Sequence, residues 1–213
     1  DPSQSLTTPN GTTLTKDREV VTYIARGLEP YRGFHVFMKA AGEICRRRPK
    51  CHIVITGGDE VRYGKKLPDG ESYRERLLKE VTLDPARVHF LGLVPYETHL
   101  RTLQISSAHV YLTIPFVLSW SALEAMAASC VVIGSATPPV KEVIEDGRNG
   151  LLVDFFSPQQ IADKVDEVFD HRDRYHRIGE QARKDIMKRY EVRNSLAAYQ
   201  KLCARFLNTA DTL

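Results

Sequence analysis

Pro115-Phe116-Val117-Leu118-Ser119-Trp120-Ser121-Ala122-Leu123-Glu124-Ala125-Met126-Ala127 is the stretch on which the reading of this chain turns. An apolar run over 110–114 precedes it and stops at the proline. A short turn of small residues follows, and a helix then opens with a carboxylate in its first turns. Such a strand–loop–helix junction is where open α/β sheets bind ligands. The helix start offers backbone N–H groups to an anion, and Glu124 can accept hydrogen bonds from hydroxyls. A ligand carrying both phosphates and hydroxyls fits the junction.

The same alternation runs along the chain in both directions. Apolar runs predict strands over 20–24, 52–56, 88–91, 110–114, 131–134 and 151–153. Helical spacing predicts helices over 33–47, 73–80, 96–105, 120–128, 140–145, 158–170, 174–189 and 192–207. Phe34, Phe37, Ala41 and Ile44 mark one face of the first helix, and Leu196, Tyr199, Cys203 and Phe206 one face of the last. Strands separated by helices imply a mostly parallel sheet of about six strands with right-handed crossovers, helices on both faces and a helical C-terminus. The near-continuous apolar character of the strands agrees, since both faces of such a sheet are covered. Residues 1–18 are polar and rich in Ser, Thr and Pro, which reads as a flexible tail or inter-domain linker, with 19–213 as one Rossmann-like domain. The start at Asp1 suggests a piece of something longer.

Composition narrows the function classes. A net charge of +3 over 213 residues is too small to argue for a nucleic-acid partner. The run Arg46-Arg47-Arg48-Pro49-Lys50 reads as the solvated end of a helix stopped by proline. No apolar stretch reaches the roughly 18 residues of a membrane span, and nothing resembles a signal peptide. The four cysteines, Cys45, Cys51, Cys130 and Cys203, show neither CxxC nor ligand spacing, as expected of reduced, mostly core residues in a cytosolic protein.

Ligands of a parallel sheet sit beyond the carboxyl ends of its strands, here 25–33, 57–58, 92–95, 115–121 and 134–140. The first of these loops holds Arg26 and Arg32, one before the bend and one at the helix start. Arginine is always charged and presents a fork of donors that suits a diphosphate. The glycines of this loop, Gly27 and Gly33, let the backbone come close. Neither GxxxxGK[ST] nor GxGxxG is present. Ser121-Ala122-Leu123-Glu124 also fits a capping box, so Glu124 has two local readings, helix cap and hydroxyl acceptor. The seven histidines are scattered, with His89 and His109 read as packing residues. No Asp-x-Asp pair, metal cluster, GxSxG elbow or Cys–His dyad stands out.

Taken together, these loops resemble the C-terminal, donor-binding half of family 4 glycosyltransferases of the two-Rossmann-domain (GT-B) type. The family's G-R-x-x-x-x-K-G is matched from Ala25-Arg26 to Arg32-Gly33, with Arg32 in the lysine position. Its h-F-L-G-x-V-P is matched by His89-Phe90-Leu91-Gly92-Leu93-Val94-Pro95. Its E-x7-E falls on Phe116 to Glu124, followed by Ala125-Met126-Ala127. Its E-V-I-x-D-G-x-N-G-L-L-V is matched from Glu142 to Val153. The similarity runs from about Val20 to the C-terminus.

The resemblance implies roles by matching position. Arg26 and Arg32 bind the donor diphosphate and stabilise the leaving nucleotide. Glu124 accepts from the ribose, which then takes precedence over the cap. The backbone of Ser119, Trp120 and Ser121 points at phosphate, Leu93 and Val94 line the base pocket, and Gly57 and Phe116 belong to the same nucleotide-sugar-binding set. It further implies a retaining, metal-independent transferase with no cofactor beyond its nucleotide-diphosphate sugar, UDP- or GDP-linked, used in polysaccharide biosynthesis. The partners implied are an N-terminal acceptor domain of the same protein and a glycan or lipid-linked acceptor. The implied setting is cytoplasmic, with peripheral contact at the inner face of the membrane. The chain departs from the family at Phe116, which stands where the sugar-facing glutamate belongs, and at Ser119, in place of a glycine. Two further readings stay open: a nucleotide-sugar 2-epimerase domain, against which the E-A-M-A and D-G-x-N-G strings speak, and a non-catalytic nucleotide-binding module, motivated by Phe116.

Overall fold

In a computed structural model, which describes residues 4–210, the apolar runs pair into one six-stranded sheet. In chain order the strands are β1 (Ser5–Thr7), β2 (Thr13–Thr15), β3 (Val20–Gly27), β4 (His52–Gly58), β5 (Val88–Gly92), β6 (Ala108–Tyr111), β7 (Val131–Ser135) and β8 (Leu151–Val153). The sheet runs β5-β4-β3-β6-β7-β8, every pair parallel. From β3 the chain winds outward through β4 to β5, then returns to the other side of β3 at β6. The reversal leaves a crevice between the carboxyl ends of β3 and β6, the topological switch point of an open α/β sheet.

Alternate strand residues feed two cores. Tyr23, Ile53, Ile55, Val110 and Ile133 point to one face, covered by α1 (Phe34–Arg47), α2 (Tyr73–Glu80) and α6 (Pro158–Asp170). Tyr111 and Val132 point to the other, with α3 (Tyr96–Gln104), α4 (Trp120–Ala127), α5 (Pro138–Lys141) and the later turns of α7 (Arg172–Tyr190). Tyr23 stacks on Phe37, ring centroids 4.4 Å apart. The last helix, α8, spans Val192–Ala210, and the Phe206 side chain lies outside the described residues.

Three local expectations change. The stretch read as a loose tail is, over its described part, a hairpin; residues 1–3 lie outside the described residues. Pro9-Asn10-Gly11 makes the turn, and Leu6 and Leu14 are directly paired and buried with Val20, Val54 and Ile105. The arginine run is not a solvated end either. Arg47 and Arg48 reach α6, where Arg47 pairs with Asp163 and Asp166 and Arg48 with Asp166 and Asp170 at 2.6–2.8 Å. Third, β6 starts earlier and ends earlier than the apolar run, because Ile114 N–H donates to Tyr31 O rather than to a strand. The chain therefore leaves the sheet at the switch point. The four cysteines are free, three of them buried.

His109 on β6 is fully buried, its Nδ1 2.8 Å from Thr22 Oγ1. Burial holds its imidazole down, to about 3. An unfolded histidine titrates near 6.5, so below that pH the unfolded chain takes up a proton that the folded one refuses. Stability is complete above about 6.5 and falls as pH drops toward 3, by about 1.4 kcal/mol per pH unit. His109 thus contributes a loss of about 2 kcal/mol between pH 7 and pH 5. Denaturant unfolding at both pH values, with the His109 ring followed by NMR, checks this; a His109 that protonates in the folded state above pH 5 contradicts it.

Candidate functional site at the switch point

The loop after β3 sets the two arginines. Pro30 opens a single 3-10 turn, Pro30–Arg32, and Gly33 closes it at φ +68° as the residue before α1. A Cβ at Gly33 would lie 2.4 Å from Leu112 Cβ, so both the backbone angle and the close approach to the β6 end require glycine. Tyr23 Oη donates to Arg32 O at 2.6 Å, and burial pushes that phenol well up, which keeps its proton on the oxygen. Arg32 Nη1 donates to Thr113 Oγ1 at 3.1 Å, tying the β3 loop to the chain leaving β6. Its guanidinium carbon sits 5.3 Å from the Tyr63 ring centroid and 5.8 Å from that of Phe116. Arg26 is exposed and makes no ion pair or hydrogen bond among the described residues.

Beside Arg26 a cleft of about 300 Å³ runs over the ends of β4 and β5, bounded by Gly57, Leu93, Val94, Tyr96 and Glu124. Gly57 is there for close approach: a Cβ would stand 2.3 Å from Ala25 O. Leu93 and Tyr96 are 65% and 63% exposed, an apolar lip facing solvent.

Glu124 is not a helix cap. The residue before α4 is Ser119, whose Oγ accepts from Ser121 N–H at 3.4 Å, so Glu124 sits more than a turn inside the helix. The capping box that does form is at α2, between Ser72 and Glu75. Glu124 Oε2 instead lies 3.0 Å from His99 Nε2 on α3. Its negative charge raises the Tyr96 hydroxyl above its ordinary value, and the Tyr96 ring stacks on His99 at 5.7 Å. A carboxylate with one oxygen held by an imidazole and 29% of its side chain exposed at a cleft can accept from a ligand hydroxyl.

The start of α4 is less open to an anion than its sequence suggests. Ser119 N–H donates to Tyr111 Oη at 2.8 Å, and Ala122 N–H to Ser119 O at 3.1 Å. Trp120 is 82% exposed and stands outside the cleft. The predicted residues therefore fall into two neighbouring groups. Arg26, Gly57, Leu93, Val94 and Glu124 share the cleft; Arg32 and Phe116 meet at the switch point, with Ser119 and Ser121 at the helix start beyond. His99, Tyr63, Tyr111 and Glu29 were not singled out by sequence. Glu29 carried one signal, a lone carboxylate in the otherwise uncharged Gly27-Leu28-Glu29-Pro30.

A six-stranded parallel sheet in this order, with arginines and a carboxylate at its switch point, defines a Rossmann-like α/β domain of the GT-B glycosyltransferase type. Residues 7–185 match the family described as glycosyl transferases group 1, and the chain belongs to that family. It is 28% identical over 167 residues to an alpha-D-kanosaminyltransferase of Streptomyces kanamyceticus, covering 78% of this chain and 40% of that protein. Its fold is that of Anabaena Alr3699/HepE, whose structure is in complex with UDP-glucose, with a TM-score of 0.73 at 19% identity over 91% of this chain and 49% of the other. The C-terminal domain of a glycosyl transferase group 1 family protein (LpcC) from Francisella tularensis superposes with a TM-score of 0.68 at 24% identity, covering 81% of this chain and 87% of that domain. The chain spans half or less of the curated relatives it matches, 49% of a spore coat protein SA of Bacillus subtilis (strain 168) among them. Among the described residues no helix is long and apolar enough to cross a membrane.

Proposed function

We propose that this chain is the C-terminal, donor-binding half of a retaining, metal-independent family 4 glycosyltransferase. The observation that carries the reading is that Arg26 and Glu124 line one cleft over the strand ends while Arg32, on the same loop as Arg26, stands at the neighbouring switch point. A nucleoside diphosphate sugar is a linear ligand, and the site is laid out along that line. Leu93 and Val94 offer an apolar wall for the base, Glu124 an acceptor for ribose hydroxyls, and Arg26 with Arg32 two permanent charges for the diphosphate. As the glycosidic bond breaks, negative charge grows on the departing diphosphate, and permanently charged guanidinium groups stabilise that state more than the ground state. Arginine does this without a metal, and the chain has no Asp-x-Asp pair.

The hexosyl group goes to a glycan or lipid-linked acceptor held by an N-terminal domain, in the cytoplasm at the inner face of the membrane. The exposed lip of Leu93 and Tyr96 supports a second domain closing over the cleft. This chain alone is expected to bind nucleotide weakly and to transfer no sugar. Calorimetric titration with UDP, GDP and ADP tests the donor site. Binding of one of them, with no turnover of its sugar conjugate by the isolated chain, is the expected result. A folded chain that binds none of the three favours a scaffold module, and robust transfer by the chain alone removes the need for a second domain.

A further inference from the structure

We propose that Tyr63 and Phe116 form the surface against which the donor's hexosyl ring lies, and that Glu29 is the positioning residue that holds Tyr63 there; this rests on the donor-binding reading above and names its sugar subsite. The two rings are each 46% exposed, 5.3 Å apart at their centroids and tilted by 56°, so they make an open aromatic corner. Arg32 lies against both. The base and ribose parts of the cleft lie toward β4 and β5. A linear ligand that starts there and meets Arg26 and then Arg32 comes next to the two rings that Arg32 touches.

Tyr63 sits on a long excursion between β4 and α2, yet its position is specified. Glu29 is fully buried, and its Oε2 accepts from the backbone N–H of Arg62, Tyr63 and Gly64 at 3.3, 3.1 and 2.8 Å. Burying a carboxyl group is costly unless it is hydrogen-bonded; Oε2 takes three bonds that pin the segment carrying the ring, while Oε1 is buried without a partner among the described residues. Gly27 permits this closure, since a Cβ there would stand 2.6 Å from Glu60 O. Beside Arg32 the corner leaves about half of each ring exposed, an aromatic surface where the motif family has a carboxylate. An aromatic face is electronegative and takes the electropositive C–H bonds of a pyranose, as it takes the edge of another ring. The subsite therefore suits a hexosyl group with a continuous C–H face.

The test compares the affinities of the chain for UDP, GDP and ADP with those for UDP-glucose, GDP-mannose and ADP-glucose. For the nucleotide that binds, Tyr63→Ala is expected to weaken the nucleotide sugar about tenfold relative to the free nucleoside diphosphate. Any loosening of Arg32, which lies against the Tyr63 ring, weakens diphosphate and nucleotide sugar alike and cancels in the ratio of the two affinities. Tyr63→Phe, which keeps the ring, should lose less of that ratio than Tyr63→Ala, and Glu29→Ala, its fold checked by circular dichroism, should lower the ratio as Tyr63→Ala does. A sugar-to-nucleotide affinity ratio unchanged in Tyr63→Ala overturns the subsite, and an unchanged ratio in Glu29→Ala overturns the positioning role. A wild-type chain that binds no nucleotide overturns the donor reading first, and the subsite with it.

Discussion

Replacing Arg26 and Arg32 together by alanine should lower the affinity for nucleoside diphosphate by about a thousandfold, the sum of two charge-assisted contacts of about 2 kcal/mol each. The two arginines differ in what else they hold. Arg26 has no protein partner among the described residues, so its removal is expected to leave the fold unchanged. Arg32 bonds Thr113 Oγ1 and the Tyr111 hydroxyl and lies against two half-exposed rings. The bond that Tyr23 makes is to the Arg32 backbone and survives truncation. The double variant should therefore melt within a few degrees of the wild type while losing its ligand. Arg32→Lys should retain more affinity than Arg32→Ala, because a point charge still meets a phosphate though it loses the bidentate fork. Calorimetry on the three variants gives the answer. Wild-type affinity in the double variant would remove the diphosphate from this loop.

Much of the scaffold was legible because it depends on local pattern. Apolar run length and turn residues placed all six sheet strands, and the helix pattern of Phe34, Phe37, Ala41 and Ile44 predicted the buried face of α1, where Phe34, Phe37, Ala41 and Ile44 are indeed buried. What failed was set by contacts distant in sequence. The arginine run looks solvated until α6 brings Asp163, Asp166 and Asp170 against it. The N-terminal hairpin has a readable turn at Pro9-Asn10-Gly11, but its two buried leucines are surrounded by Thr and Ser, which mask the alternation. Tyr63 is positioned by a carboxylate 34 residues away, and nothing around Tyr63 announces it.

The start of α4 shows the same limit at close range. Ser119 and Ser121 are both good caps two residues apart, and the local pattern allows either. Tyr111 decides between them by accepting the Ser119 N–H, which fixes the helix start at Ser119 and leaves Glu124 free of capping. The motif resemblance expects a ribose acceptor at Glu124 through its E-x7-E spacing from Phe116, a role that a carboxylate free of capping leaves open.

That geometry makes Glu124→Ala a clean experiment. If Glu124 were a cap, its loss would cost about 1 kcal/mol of stability and leave binding alone. As a ribose acceptor inside the helix it should do the reverse. Alanine at position 124 is a strong helix former, and the bonds lost, to His99 Nε2 and the Tyr96 hydroxyl, leave side chains at the edge of an open cleft. Binding of the nucleoside diphosphate should fall by about a hundredfold, the range expected for charge-assisted bonds to a pair of hydroxyls. The ribose itself supplies the control. The wild-type chain should prefer the ribonucleotide over its 2′-deoxy counterpart, and Glu124→Ala should bind the two nearly alike, because the acceptor that tells them apart is gone. A double-mutant-cycle comparison of the two ligands and the two proteins isolates that coupling from any general loosening of the cleft. If Glu124→Ala keeps the full preference for the 2′-hydroxyl, the ribose is read elsewhere, and the His99–Glu124 pair serves only to join α3 to α4.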